Sequence, residues 1–137
     1  MRFLSIFSHV ERDTPPSTEE FEKVGNLVEE WMKAGKLIST EGCLPSSKGA
    51  RVRRSGNKYT ITDGPFTESK ELVGGFAILE ASSLAEAKEL GKIFLEAVGD
   101  GECEIRQIAG VDDFGDAFTP EQRDKETRMR AELAGKS

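Results

Sequence analysis

The 137-residue chain is short of the side chains that most often do chemistry. It has one histidine, His9, and one tryptophan, Trp31. Its two cysteines, Cys43 and Cys103, are too few for a disulfide framework, and no metal-ligand spacing surrounds either, so both are expected as reduced thiols on strands. Asp112, Asp113 and Asp116 lack the spacing of a calcium loop. No metal and no cofactor is therefore expected. No apolar run approaches the roughly 20 residues that span a bilayer. The opening MRFLSIFSHVERD turns charged too soon for a signal peptide, which points to a cytoplasmic protein without a membrane segment. An excess of positive charge is missing as well. The 19 Lys and Arg stand against 25 Asp and Glu, a net charge of -6, and such a surface repels phosphate backbones. Nucleic acid is not an expected partner. Gly74-Gly75 has no GxxxxGK pattern around it, and the letters DDFG at 112–115 stand without any other kinase element.

What the chain does have is clear periodicity. RFLSIFS alternates with apolar residues on both faces and reads as a central strand. Ser17 is an N-cap with Glu20 as capping-box partner, followed by Phe21, Val24, Val28 and Trp31 at helical spacing, with Gly35 suited to the C-terminal turn. KLISTEGCL returns as a strand. ARVRRSGNKYTIT reads as a hairpin around Ser-Gly-Asn, and LVGGFAILEA as a further strand in which the paired glycines mark a bulge or a close backbone approach. Ser83 and Glu86 form a second capping box ahead of Leu84, Ala87, Leu90 and Phe94. ECEIRQIA makes the last strand. Without the inserted hairpin the order is βαββαβ, an α+β, ferredoxin-like split βαβ sandwich over residues 1–110. Residues 111–137 form an extension: an acidic irregular stretch, then a charged helix opened by Thr119-Pro120, with Gln122 closing a capping box.

Two helices cover only one face of such a sheet. Cys103 and Ile105 are expected to meet the helices, leaving Glu104 and Arg106 on the open face beside Phe3 or Phe7. An exposed apolar face costs about 25 cal/mol per Å² left in water. Two copies that pair these faces remove that cost and enclose polar groups in a barrel-like space. A homodimer with a small-molecule pocket is the expectation.

The stretch TDGPFTESKELVGGF concentrates unusual backbone chemistry. Pro65 restricts Gly64 and fixes its own φ, and Phe66 can anchor the corner. The corner is either purely structural or a rigid mount for the Asp63 carboxylate. The segment RVRRSGNKYTITDGPFTESKELVGGFAILE resembles the signature of the YCII-related, or DGPF-domain, family. The Asp-Gly-Pro-Phe quartet, Glu68-x-Lys70-Glu71 and Gly74-Gly75-Phe76 carry the resemblance, supported by SLAEAKEL, CEIRQI and DDFGDAFTPE. It implies a bacterial protein that forms a dimeric α/β barrel of ferredoxin-like subunits. It also implies kinship with barrels that act on small molecules, and an association of some members with extracytoplasmic-function sigma factors. A branch of the family is thought to use a histidine and an aspartate. Here the first helix has no histidine, and Gln107 stands where the last strand usually has proline.

The candidate site residues follow from these readings. Asp63 is a candidate acid/base or orienting carboxylate, and His9, at the end of the first strand, a second candidate for proton exchange. Arg106 offers a planar fork to an anionic group, or pairs with Glu104. Arg53 on the hairpin, with Glu68 and Lys70 beyond the rigid turn, can line a pocket rim or simply form a solvated face. The expected function is binding or conversion of a small molecule by acid/base chemistry. The alternative is a non-catalytic interaction module linked to a sigma factor.

Overall fold

The computed structural model describes residues 1–136. The chain divides into two compact units, Met1–Gln107 and Ile108–Ser137.

In the first unit, β1 (Arg2–His9), β2 (Leu37–Gly42), β5 (Leu72–Glu80) and β6 (Glu102–Gln107) form one sheet in the order β2-β5-β1-β6. Every pairing is antiparallel. Helices α1 (Thr18–Lys33) and α2 (Leu84–Val98) follow β1 and β5 respectively. The order is thus the ferredoxin-like βαββαβ read from periodicity. The insertion is a separate two-stranded sheet of β3 (Ala50–Ser55) and β4 (Lys58–Asp63). Ser55 pairs with Lys58, so its turn is the two residues Gly56-Asn57 rather than Ser-Gly-Asn.

Both main helices begin where a hydroxyl can satisfy a free amide. Ser17 accepts from the Glu20 N–H and Ser83 from the Glu86 N–H, each at 3.1 to 3.2 Å. Neither forms the full reciprocal box that was expected. The Glu20 carboxylate is taken by Arg12, and that of Glu86 by Ser82.

The core lies between the sheet and the helices. It holds Phe3, Leu27, Trp31, Leu79, Ala81, Ala87 and Leu90. Two of its features correct the expectation from spacing. Phe21 belongs to the helical stripe of α1 but is 64% exposed, and Leu84 at the head of α2 is exposed too. Both sit in the first turn of their helices, whereas Leu27 and Trp31, further along α1, are buried. Phe3 and Phe7 also lie on the opposite face from the one expected. Phe7 is opposite Cys103, Ser5 opposite Ile105 and Phe3 opposite Gln107. Residues directly opposite one another share a face. Ile105 packs against the helix-side core, so Phe3, Ser5 and Phe7 do as well. The open face instead carries Leu4 and Ile6 of β1, beside Arg106 and Glu104, with Phe76 and Ile78 of β5.

The second unit contains short 3-10 turns over Val111–Ala117 and the helix α3 (Pro120–Gly135). Thr119 and Gln122 form a complete capping box at its start, with Pro120 in the first turn. No described residue of α3 is buried. Among the described residues no helix is long and apolar enough to cross a membrane.

Candidate functional site

Two places gather side chains and backbone in ways the fold alone does not require. The first is a cavity of about 140 Å³ between the sheet and the two helices. Its walls are aromatic and aliphatic: Phe7, Val24, Trp31, Leu90 and Phe94. Ser5 and Thr40 bring hydroxyls, and Gly74 and Gly75 lie along one side. Phe7 meets Phe94 edge to face at 5.3 Å, so the strand and α2 lock that wall.

His9 does not line this cavity but lies against two residues that do, Phe7 and Gly74. Its ring stacks on Phe7 at 5.0 Å between centroids, with 24° between planes. Gly74 leaves the room that this ring occupies. A Cβ at position 74 would come within 2.7 Å of His9 Nε2 and 3.3 Å of Phe7 Cδ2. The glycine pair also falls where β1 and β5 lose register, between Phe7 and Ser8, so both expected roles, bulge and close approach, are present.

The second place is the Asp-Gly-Pro-Phe corner. Gly64 donates its N–H to the Gly49 carbonyl at 2.9 Å, and its α-carbon lies against the Ser46 carbonyl, where any side chain would collide with backbone. The Gly64-Pro65 peptide is cis. Ser46 is buried and organises the corner. Its Oγ accepts from the Phe66 N–H at 3.1 Å and donates to Glu11 at 2.8 Å, while its own N–H reaches the same carboxylate. Arg51 lies over the Phe66 ring at 3.9 Å and binds Glu68 and the Ser69 hydroxyl. The Glu68 carboxyl is held below its ordinary range, first by the N–H of its own residue and then by Arg51.

These two places do not collect all the residues expected to act together. Asp63 is the exposed last residue of β4, opposite Ala50. Arg53 is exposed in β3, opposite Thr60, and Lys70 is exposed beyond the corner. Arg106 lies 3.4 Å from Glu104, on the open face. It pairs with Leu4, five residues along β1 from His9, a separation of about 16 Å at the rise of an extended strand. His9 is on the helix side, so His9 and Arg106 serve different faces of one chain. The cavity is likewise on the helix side, whereas a pocket was expected on the open face. Sequence reasoning missed Glu11 and Ser46 altogether. They are 35 residues apart, and no local pattern links a carboxylate after β1 to a serine before a hairpin.

An α+β ferredoxin-like chain with an inserted hairpin, a glycine-proline corner and a helix-side cavity is the class defined by these observations. The chain belongs to the YCII-related domain family, whose family model matches residues 1–110. An uncharacterised protein of Rhizobium meliloti (strain 1021) is 32% identical over 98 residues, which cover 68% of this chain and 79% of that protein. The solved structure of 5-chloro-2-hydroxyhydroquinone dehydrochlorinase from Burkholderia phenoliruptrix AC1100, in complex with 2,5-dihydroxybenzoquinone, aligns with 80% of this chain and 94% of that one. Its TM-score is 0.44 and its identity 18%, a likeness that is no guide to ligand or reaction.

Proposed function

We propose that the protein binds, and by acid/base chemistry converts, a small and largely apolar molecule in the cavity between sheet and helices, with His9 as the proton-exchanging group beside it. The aromatic-walled cavity beside the chain's one histidine carries this reading. Size sets the class of ligand. A cavity of about 150 Å³ holds a benzene-sized guest, so 140 Å³ suits a molecule of about one ring. Polarity narrows it further. The lining has the Ser5 hydroxyl, the Thr40 hydroxyl, which donates to the Phe76 carbonyl at 2.9 Å, and one charged residue, Glu41, and no Lys or Arg, so a neutral compound fits better than an anionic one.

The same proposal includes a cytoplasmic homodimer closing an α/β barrel. The open sheet face presents Leu4, Ile6, Phe76 and Ile78, and a second copy is the simplest cover for it. Arg106 would then face the space between the two open faces, separate from the helix-side cavity, where it could hold an anion. Asp63, Arg53, Glu68 and Lys70 would contribute from the corner and the hairpin, and residues 111–137 would serve as an extension of the 1–110 domain. Among the described residues none speaks for a sigma factor as partner.

The single tryptophan makes a direct test, because Trp31 lines the cavity. Cyclohexanone and cyclohexanol, titrated against the purified protein, should change Trp31 emission saturably. Val24→Phe, which fills the cavity, should abolish the change. A titration without saturation in the parent protein, or an unchanged response in Val24→Phe, overturns the reading.

A further inference from the structure

We propose that the β3–β4 hairpin is an arm by which one copy of the chain grips another, its apolar face packed on the second copy and Arg54, the cation on that face, set against a carboxylate there. This rests on the two-copy assembly proposed above and adds the element that holds it.

The charge distribution is the first observation. Of the 19 Lys and Arg, five lie between 46 and 60: Lys48, Arg51, Arg53, Arg54 and Lys58. None of the 25 Asp and Glu falls in that stretch, so the rest of the chain carries 14 cations against 25 carboxylates. The arm is thus strongly basic on a strongly acidic body.

The second observation is that neither strand of the arm contributes to the core of its own chain. No residue of β3 or β4 is buried, and the two strands pair only with each other. An isolated two-stranded ribbon is marginal in water. One of its faces nevertheless carries Val52, Tyr59 and Ile61, which are 70%, 64% and 68% exposed. They share that face because Val52 is opposite Ile61 and Arg54 is opposite Tyr59. Arg54 lies over the Tyr59 ring at 5.7 Å, so the apolar face has a cation at its tip, while Arg51, Arg53 and Lys58 lie on the other face.

The third observation is that the arm is aimed. Its root is pinned by Gly64 on Gly49, by Ser46 between Glu11 and Phe66, and by Arg51 across Phe66 to Glu68. A ribbon fixed at its base loses less freedom on docking than a loose loop does.

Charge and apolar pattern together select the occupant. Nucleic acid matches the cations, but it would be repelled by the acidic body and leaves Val52 and Ile61 uncovered. A second copy supplies both requirements. The β2 edge of its sheet, outside the apolar residues that two paired open faces would bury, carries the exposed Ile38 and Glu41.

Sedimentation velocity on the full chain, over a range of concentrations, is the test. The parent protein should be a dimer. Arg54→Glu and, separately, Val52→Ser/Ile61→Ser should each weaken self-association by at least about tenfold, with unchanged circular dichroism. Higher salt should weaken the parent dimer as well. A carbodiimide cross-link in a mixture of isotopically heavy and light copies should join Lys48 or Lys58 of one copy to a carboxylate of the other. A monomeric parent overturns both the arm and the assembly beneath it. A parent dimer that both variants leave intact, with no heavy–light cross-link through Lys48 or Lys58, overturns the arm alone and leaves the two-copy assembly standing.

Discussion

The carboxylate of Glu11 holds Ser46 twice, through its backbone N–H at 2.5 Å and its hydroxyl at 2.8 Å. The same hydroxyl accepts the Phe66 N–H, so one serine joins the end of β1 to the Asp-Gly-Pro-Phe corner. Removing a buried hydroxyl leaves its partners unpaired, which costs about 1–3 kcal/mol. Ser46→Ala should lower the unfolding free energy by that amount in urea titrations. Gly64→Ala should be worse, because the new methyl meets the Ser46 backbone carbonyl. Gly74→Ala meets the far end of the His9 side chain, which can swing away, and should cost less than Gly64→Ala.

Burial rather than helical spacing should rank the aromatic residues. Phe3→Ala empties a fully buried site and should cost about 3–5 kcal/mol. Phe21→Ala removes an exposed ring from α1 and should stay within about 0.5 kcal/mol. Equal losses for the two variants in denaturant unfolding would contradict the assigned core.

Two hydrogen-bonded carboxylates should shape the acid limb of stability. Glu86 is held below the ordinary glutamate value of 4.5, first by the Ser82 hydroxyl at 2.6 Å and then by the Ser82 N–H. Glu68 is shifted the same way at the corner. A carboxylate whose folded pKa is depressed contributes stability above its unfolded value and loses it as pH falls through the folded value. Glu68→Gln/Glu86→Gln should therefore lose less stability than the parent when the pH drops from neutrality to below 4.5. Urea midpoints at the two pH values read the difference directly.

Much of the fold was legible because it is written in local periods. β1, α1, α2 and β6 announce themselves by alternation or by a capping serine before a spaced apolar stripe. The family signature was legible at the Asp-Gly-Pro-Phe corner for the same reason: Gly and Pro restrict the chain where they stand. The candidate site was much less so. His9 was singled out by being the one histidine, yet its setting against Phe7 and Gly74 comes from a bulge between strands more than 60 residues apart in the chain. The face carrying Phe3 and Phe7 was misjudged because alternation separates two faces but does not say which one meets the helices. The register of β1 against β6 does.

By itself, the amino-acid order determined where strands and helices begin, which backbone positions tolerate only glycine or proline, and which stretch is basic. Those properties depend on a residue and its near neighbours. Only the tertiary structure decided that the cavity lies under the helices, that Ser46 and Glu11 tie the corner to β1, and that Arg106 and His9 part company across the sheet. Each depends on groups brought together from distant positions by strand pairing and packing, where no local spacing records the contact.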